Sequence, residues 1–170
     1  MLCRGGNIRR GRGFLAAVIA GLVFVIAVTG ALAATPPTRE EYKAMVEPIC
    51  KANTKANERI LGGVRKQVKE GKLKAAGAQF AKAATALKKA RRELLAVPQP
   101  SADKTRLDNW FGYVKTEAEL FDQTARKLKQ EDKPGANQML SKLIRTANRA
   151  NIEVLPFEFT YCRLEPSRFT

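Results

Sequence analysis

Between residues 38 and 154, apolar positions recur at steps of three and four, the spacing that keeps one face of a helix apolar. The first run is Tyr42, Val46, Ile49, Ala56, Ile60, Val64 and Val68, with Asn53 interrupting it. It begins after Pro36-Pro37, where Thr38-Arg39-Glu40-Glu41 forms a capping box with Glu41 three residues beyond Thr38. A helix over residues 38–70 is predicted. Inside it Pro48 lacks an amide hydrogen and crowds the preceding turn, which predicts a kink. Gly62-Gly63 weakens the same helix by ~1 kcal/mol per glycine relative to alanine, and Gly71 is placed to stop it.

The second run is the most regular: Leu73, Ala76, Phe80, Ala83, Leu87, Ala90 and Leu94, a bundle seam over residues 73–96. Pro98-Gln99-Pro100 ends it. Ser101 is placed to cap a third helix, residues 101–131, with Asp103 in its first turn. Its stripe is Leu107, Trp110, Val114, Ala118, Phe121, Ala125 and Leu128. Lys133-Pro134-Gly135 reads as a tight connection to a fourth helix, residues 134–154, whose stripe is Ala136, Leu140, Leu143, Ala147, Ala150 and Val154. Four amphipathic helices with short connections predict an all-α, up-down-up-down four-helix bundle. The tail, residues 155–170, changes period: Leu155, Phe157, Phe159 and Tyr161 alternate with Pro156, Glu158 and Thr160, as in an extended segment. Its aromatic face is expected to pack across one end of the bundle, the rival reading being an exposed patch that binds a partner.

Residues 1–33 follow another pattern. Arg4, Arg9, Arg10 and Arg12 precede an apolar stretch over residues 14–28, and Ala31-Leu32-Ala33 supplies small residues flanking a cleavage point. A positive head, an apolar middle and a small-x-small end make an export signal. Cleavage near Ala33 would release a secreted chain. Retention would leave residues 14–34 as an anchor helix, close to the ~20 apolar residues that cross a bilayer, with the arginine head cytoplasmic. Either fate makes the single domain at residues 34–170 extracytoplasmic. Arg9-Arg10 hints at twin-arginine export, but Gly11-Arg12-Gly13 delays the apolar residues and an ordinary positive head accounts for it. Cys3 precedes the apolar stretch, so it is not a lipid-modified cysteine following a cleavage site.

Charge adds a second asymmetry. The whole chain carries +15, and residues 34–170 retain +11. Residues 51–92 hold 13 basic residues against Glu58 and Glu70 alone, whereas from residue 98 onward 12 basic face 10 acidic ones. On the second helix Lys74, Lys82, Lys89 and Arg92 share a face away from Phe80 and Leu87, and on the first Lys51, Lys55, Arg65 and Lys69 share another. Adjacent helices would merge these into one electropositive side, able to meet an anionic lipid, a cell-wall polymer or an acidic protein. No aromatics interleave with the lysines, so no specific nucleic-acid recognition is expected. The alternative is a solvated face.

The chain has no histidine. That removes the commonest metal ligand, the usual haem ligand and the usual neutral-pH general base, and with them the Glu-x-x-His sites of ferritin-like bundles. Phosphate-loop, dinucleotide and serine-nucleophile motifs are absent from the sequence. Asp108 and Glu117 are read as solvated helix surface, and Met45 and Met139 as core filler. No catalytic residue, cofactor or metal site is expected, and a non-enzymatic role is. Cys50 and Cys162 remain. Four antiparallel helices return the chain to the end where it began, which brings the start of the first helix beside the finish of the fourth. A disulfide is predicted, free thiols or a metal site being the alternative; closing so long a loop is worth about 4–5 kcal/mol in the chain-entropy model.

Ile49-Cys50 and Tyr161-Cys162 give the domain a resemblance to small exported helical proteins of actinomycete type, which pair an early first-helix cysteine with one beside an aromatic after the last helix. The resemblance implies the disulfide and the compartment, and no activity. Two functional expectations follow. One is an exported or anchored envelope protein binding an anionic component or a partner protein. The other is a carrier of a small apolar ligand in the bundle interior, with Asn53 or Asn148 as a polar contact.

Overall fold

The computed structural model describes residues 35–165, which belong to one unit spanning residues 34–170. The expected signal or anchor, with Cys3 and residues 14–34, lies outside the described residues. Thr38 opens the first helix as its sequence requires. Its amide donates to Glu41 Oε2 at 2.8 Å, and its hydroxyl oxygen accepts from the Glu41 amide at 3.2 Å. Helix α1, Arg39–Leu61, then continues through Pro48.

The helix expected over residues 38–70 is two helices. Gly62-Gly63 separates α1 from a short α2, Val64–Lys69. Gly63 adopts φ 83, the left-handed region a glycine enters without a Cβ penalty. Gly71, with φ 74, stops α2, and the Lys72 amide bonds back to the Gln67 carbonyl at 2.8 Å. Next come α3, Leu73–Leu95, a 3-10 turn at Ser101–Asp103, α4, Lys104–Lys129, and α5, Lys133–Glu153.

Two boundary readings are corrected. The Ser101 side chain caps nothing; Asp103 instead accepts from Arg39 Nε at 2.6 Å and Nη2 at 2.7 Å, tying the start of α1 to the start of α4. This bidentate pair holds the Asp103 carboxyl below its ordinary pKa. Lys133-Pro134-Gly135 is the first turn of α5, not the connection before it. Asp132 caps that turn by accepting from the Gly135 amide at 2.8 Å, and the chain reverses at Glu131, φ 60.

The long helices form an all-helical bundle in which α3 packs on α4, α4 on α5 and α1 on α3. Lys74, Lys88 and Arg91 of α3 meet Glu131 just beyond the end of α4, Asp122 within it and the Phe111 carbonyl near its start, so these two helices run antiparallel. Gly77 lets them approach closely. A Cβ there would stand 2.8 Å from the Ala125 carbonyl oxygen. The core is built on Tyr42, Val46, Phe80, Leu87, Leu107, Trp110, Phe121, Leu128 and Leu143. On α1 the buried line runs through Tyr42, Val46, Cys50, Asn57 and Leu61, while Ile49 and Ile60 sit half-buried on its flank. Met139 fills the core as expected, but Met45 is 39% exposed and does not.

The tail is not an extended segment. Leu155–Phe157 is a 3-10 turn with Pro156 inside it, followed by bends, and there is no strand among the described residues. Its aromatics pack nonetheless. Phe157 and Phe159 are buried with ring centroids 5.1 Å apart; Tyr42 lies 5.8 Å from Phe157, and Trp110 lies 5.9 Å from Phe159. Leu155, at the head of the expected aromatic face, is exposed. Folding back, the tail touches both α1 and α5 and closes the side of the bundle between them.

Candidate functional site

Three groups of side chains position the tail. Cys50 and Cys162 form a disulfide with their Cα atoms 4.9 Å apart, which joins α1 to the chain end as predicted. The Glu47 carboxylate, one turn earlier on α1, accepts the amides of Thr160 and Tyr161, the latter at 3.0 Å. Asn151 of α5 makes a pair of hydrogen bonds to the Leu164 backbone, donating to its carbonyl at 3.0 Å and accepting from its amide at 3.1 Å. Neither Glu47 nor Asn151 stands out in the sequence, since each acts only where the returning tail presents its backbone.

Beneath this clamp lies a small cavity of about 40 Å³, lined by the disulfide, Asn53, Trp110, Val114, Glu117, Asn151 and Tyr161. It has room for about three water molecules, far short of the ~150 Å³ that takes a benzene. Glu117 corrects the sequence reading. Asp108 is solvated and pairs with Lys104 at 2.8 Å, but Glu117 is 1% exposed. Its Oε1 has no hydrogen-bond partner, and burial pushes its pKa up to about 8. A carboxyl here is held neutral at ordinary pH, because the bundle interior solvates its anion poorly. The spacing did carry a signal: Leu107, Trp110, Val114, Glu117, Phe121, Thr124 and Leu128 step by three and four, and all are buried. Reading the stripe through Ala118 and Ala125 passed over the two polar members of that seam.

Asn57 is a second buried polar group. It is fully enclosed, donates to Asn53 Oδ1 at 3.4 Å and leaves its own Oδ1 without a partner. Asn53 therefore does face the interior. Asn148, the other polar contact expected of a carrier, is exposed on α5.

The basic residues do not form one continuous face, and some of them border two clefts. Lys82 of α3 and Arg59 of α1 flank a cleft of about 310 Å³ whose other walls are Ala56, Ile60 and Gln79. Lys51, Lys55 and Arg59 follow one another at four-residue steps along α1, and the Lys51 ammonium sits 5.2 Å from the Tyr161 ring centroid. Lys89 and Arg92 are exposed further along α3, Lys89 beside Glu93 at 3.6 Å. Lys74 turns toward α4 and pairs with Glu131 at 3.3 Å. Arg65 and Lys69 do not continue the Lys51–Lys55 face. The glycine break carries them onto α2, where with Lys133 they edge a cleft of about 250 Å³ lined by Val64, Val68, Phe80, Leu128, Ala136, Asn137 and Leu140.

Among the described residues no cluster of three or more histidines, cysteines or carboxylates is arranged to hold a metal ion. No described helix is long and apolar enough to cross a membrane. Compared with protein-family models, with curated proteins and with solved structures, the chain finds no match.

Proposed function

We propose that this chain is a non-enzymatic protein of the cell envelope, secreted or anchored by residues 14–34, whose rigid up-down-up-down bundle holds an anionic envelope component through the outward faces of α3 and α1. The observation that carries this reading is the charge of α3. Six cations stand on it against Glu93 alone, and Lys82 and Arg92 make no ion pair among the described residues. The pairs that Lys74 and Lys89 do make are exposed, a kind worth at most ~1 kcal/mol, so a multivalent anion can displace them. Lys51 and Lys55 extend the positive side along α1. The disulfide supports the compartment, since such bridges persist outside reducing cytoplasm. An anionic lipid surface, an acidic wall polymer and an acidic protein all present the required charge. Holding an apolar ligand inside the bundle is the weaker reading, because the interior cavity is too small.

The binding experiment is direct. Purified exported protein should bind anionic vesicles or an acidic polymer at low salt, and binding should weaken steeply past the ~10 Å screening length of 0.1 M salt. Replacing Lys74, Lys82, Lys89 and Arg92 by glutamine should abolish binding without changing helicity or melting. Equal loss on neutralising Lys115, Arg126 and Lys129 would reduce the effect to net charge and defeat the assignment. Compartment has its own test. A reporter fused after Thr170 should work only outside the membrane, and the amino terminus of the exported protein, at Ala34 or Met1, distinguishes release from anchoring.

A further inference from the structure

The glycine break that corrected the first helix also shapes a site. Because α2 turns at Gly62-Gly63 and packs on α3, the floor between α2 and α5 is left open, and Phe80 and Leu128 form its base. Val68 and Leu140 stand half-buried along its edges. Ile144, one turn beyond Leu140 on α5, is 47% exposed. The cleft holds about 250 Å³, well above the ~150 Å³ that admits benzene. Its polar edge is one-signed. Arg65, Lys69 and Lys133 border it, no acid lines it, and none of the three cations makes an ion pair among the described residues. Glu70, next to Lys69, is engaged by Lys66 and Lys72, and Asp132, next to Lys133, is engaged by Lys127 and the Gly135 amide.

We propose that the cleft between α2 and α5 binds a single-chain anionic amphiphile as a monomer, its acyl chain on Phe80, Leu128, Val68 and Leu140 and its headgroup against Arg65, Lys69 and Lys133. An apolar floor removes the chain from water, the dominant favourable contribution in such sites. Three unpaired cations at the mouth select the sign of the headgroup and draw it in. The inference shares with the proposed function only the ligand's negative charge. It uses different residues, so either can fail alone.

The test follows backbone and methyl NMR signals of the exported protein, disulfide intact, as dodecanoate is added below its micelle concentration. Saturable one-to-one shifts at Val64, Val68, Leu128 and Leu140 are expected, with butyrate and dodecyltrimethylammonium giving none. Arg65→Gln, Lys69→Gln and Lys133→Gln together should weaken dodecanoate binding about tenfold, the product of three partly solvated charge contacts. Val68→Glu should abolish it, and the surface triple variant keeps the test valid if that substitution disturbs α2. The glutamine variants of Lys74, Lys82, Lys89 and Arg92 should bind dodecanoate as the parent does. Equal binding of the cationic analogue, shifts centred elsewhere, or an unshifted spectrum would overturn the proposal. So would shifts at these methyls with phosphatidylglycerol vesicles but not with monomeric dodecanoate, since the occupant would then be a bilayer surface.

Discussion

Replacing Glu117 by glutamine should flatten the pH dependence of this protein's stability. The folded chain holds the Glu117 proton up to about pH 8, whereas an ordinary glutamic acid releases it near 4.5. Between those values the folded state binds one proton more than the unfolded state. Unfolding free energy therefore falls as pH rises, by about 1.4 kcal/mol per pH unit. Stability from the neutral carboxyl is fully present below pH 4.5, is lost progressively above it and levels off past pH 8. From pH 4.5 to 7 the loss comes to about 3 kcal/mol, or about 10 °C in melting temperature for a domain of this size. The absence of histidine makes the window clean, because the side chain that normally titrates there is missing. Glutamine keeps the shape of the neutral acid and cannot ionise. Melting curves for parent and Glu117→Gln should coincide near pH 4.5 and separate toward pH 8, with the variant the more stable. Parallel curves from pH 5 to 8, or a parent that gains stability with pH, would refute a buried neutral carboxyl at this position.

Reduction of the Cys50–Cys162 bridge should lower the melting temperature by several degrees, with a ceiling of about 4–5 kcal/mol; two thiols freely alkylated in native, unreduced protein would sink both the bridge and the tail clamp. Gly77→Ala should destabilise by about 1–3 kcal/mol, since its Cβ would press on the Ala125 carbonyl. Gly112→Ala, also inside a helix but with nothing within 4 Å of the new atom, should stabilise by about 0.5–1 kcal/mol; chemical denaturation of both variants checks the sign of each. Asn151→Ala should release Leu164 from α5 and speed amide exchange in residues 159–164 while leaving that of α3 unchanged, and uniform acceleration would show that the tail is not separately held.

Local chemistry was enough to establish the helices. Periods of three and four, the Thr38–Glu41 capping box and the stop at Gly71 act within a turn or two of chain, where the interacting groups are neighbours in sequence. The cysteine pairing was also legible, because antiparallel helices of similar length leave few places for two ends to meet. What depended on tertiary contact was the state of individual polar groups. Glu117 and Asp108 are both acids on α4, yet one is enclosed and the other solvated, because the neighbouring helices and the returning tail cover only one of them. The tail's alternating aromatics suggested an extended segment, but Tyr42 and Trp110 offered ring surfaces that a 3-10 turn at Pro156 reaches. Likewise, Gly62-Gly63 marked a weak point whose outcome was open. In the folded chain Gly63 turns left-handed and α2 packs on α3, and this break parts Arg65 and Lys69, which border the α2–α5 cleft, from Lys51 and Lys55 on α1.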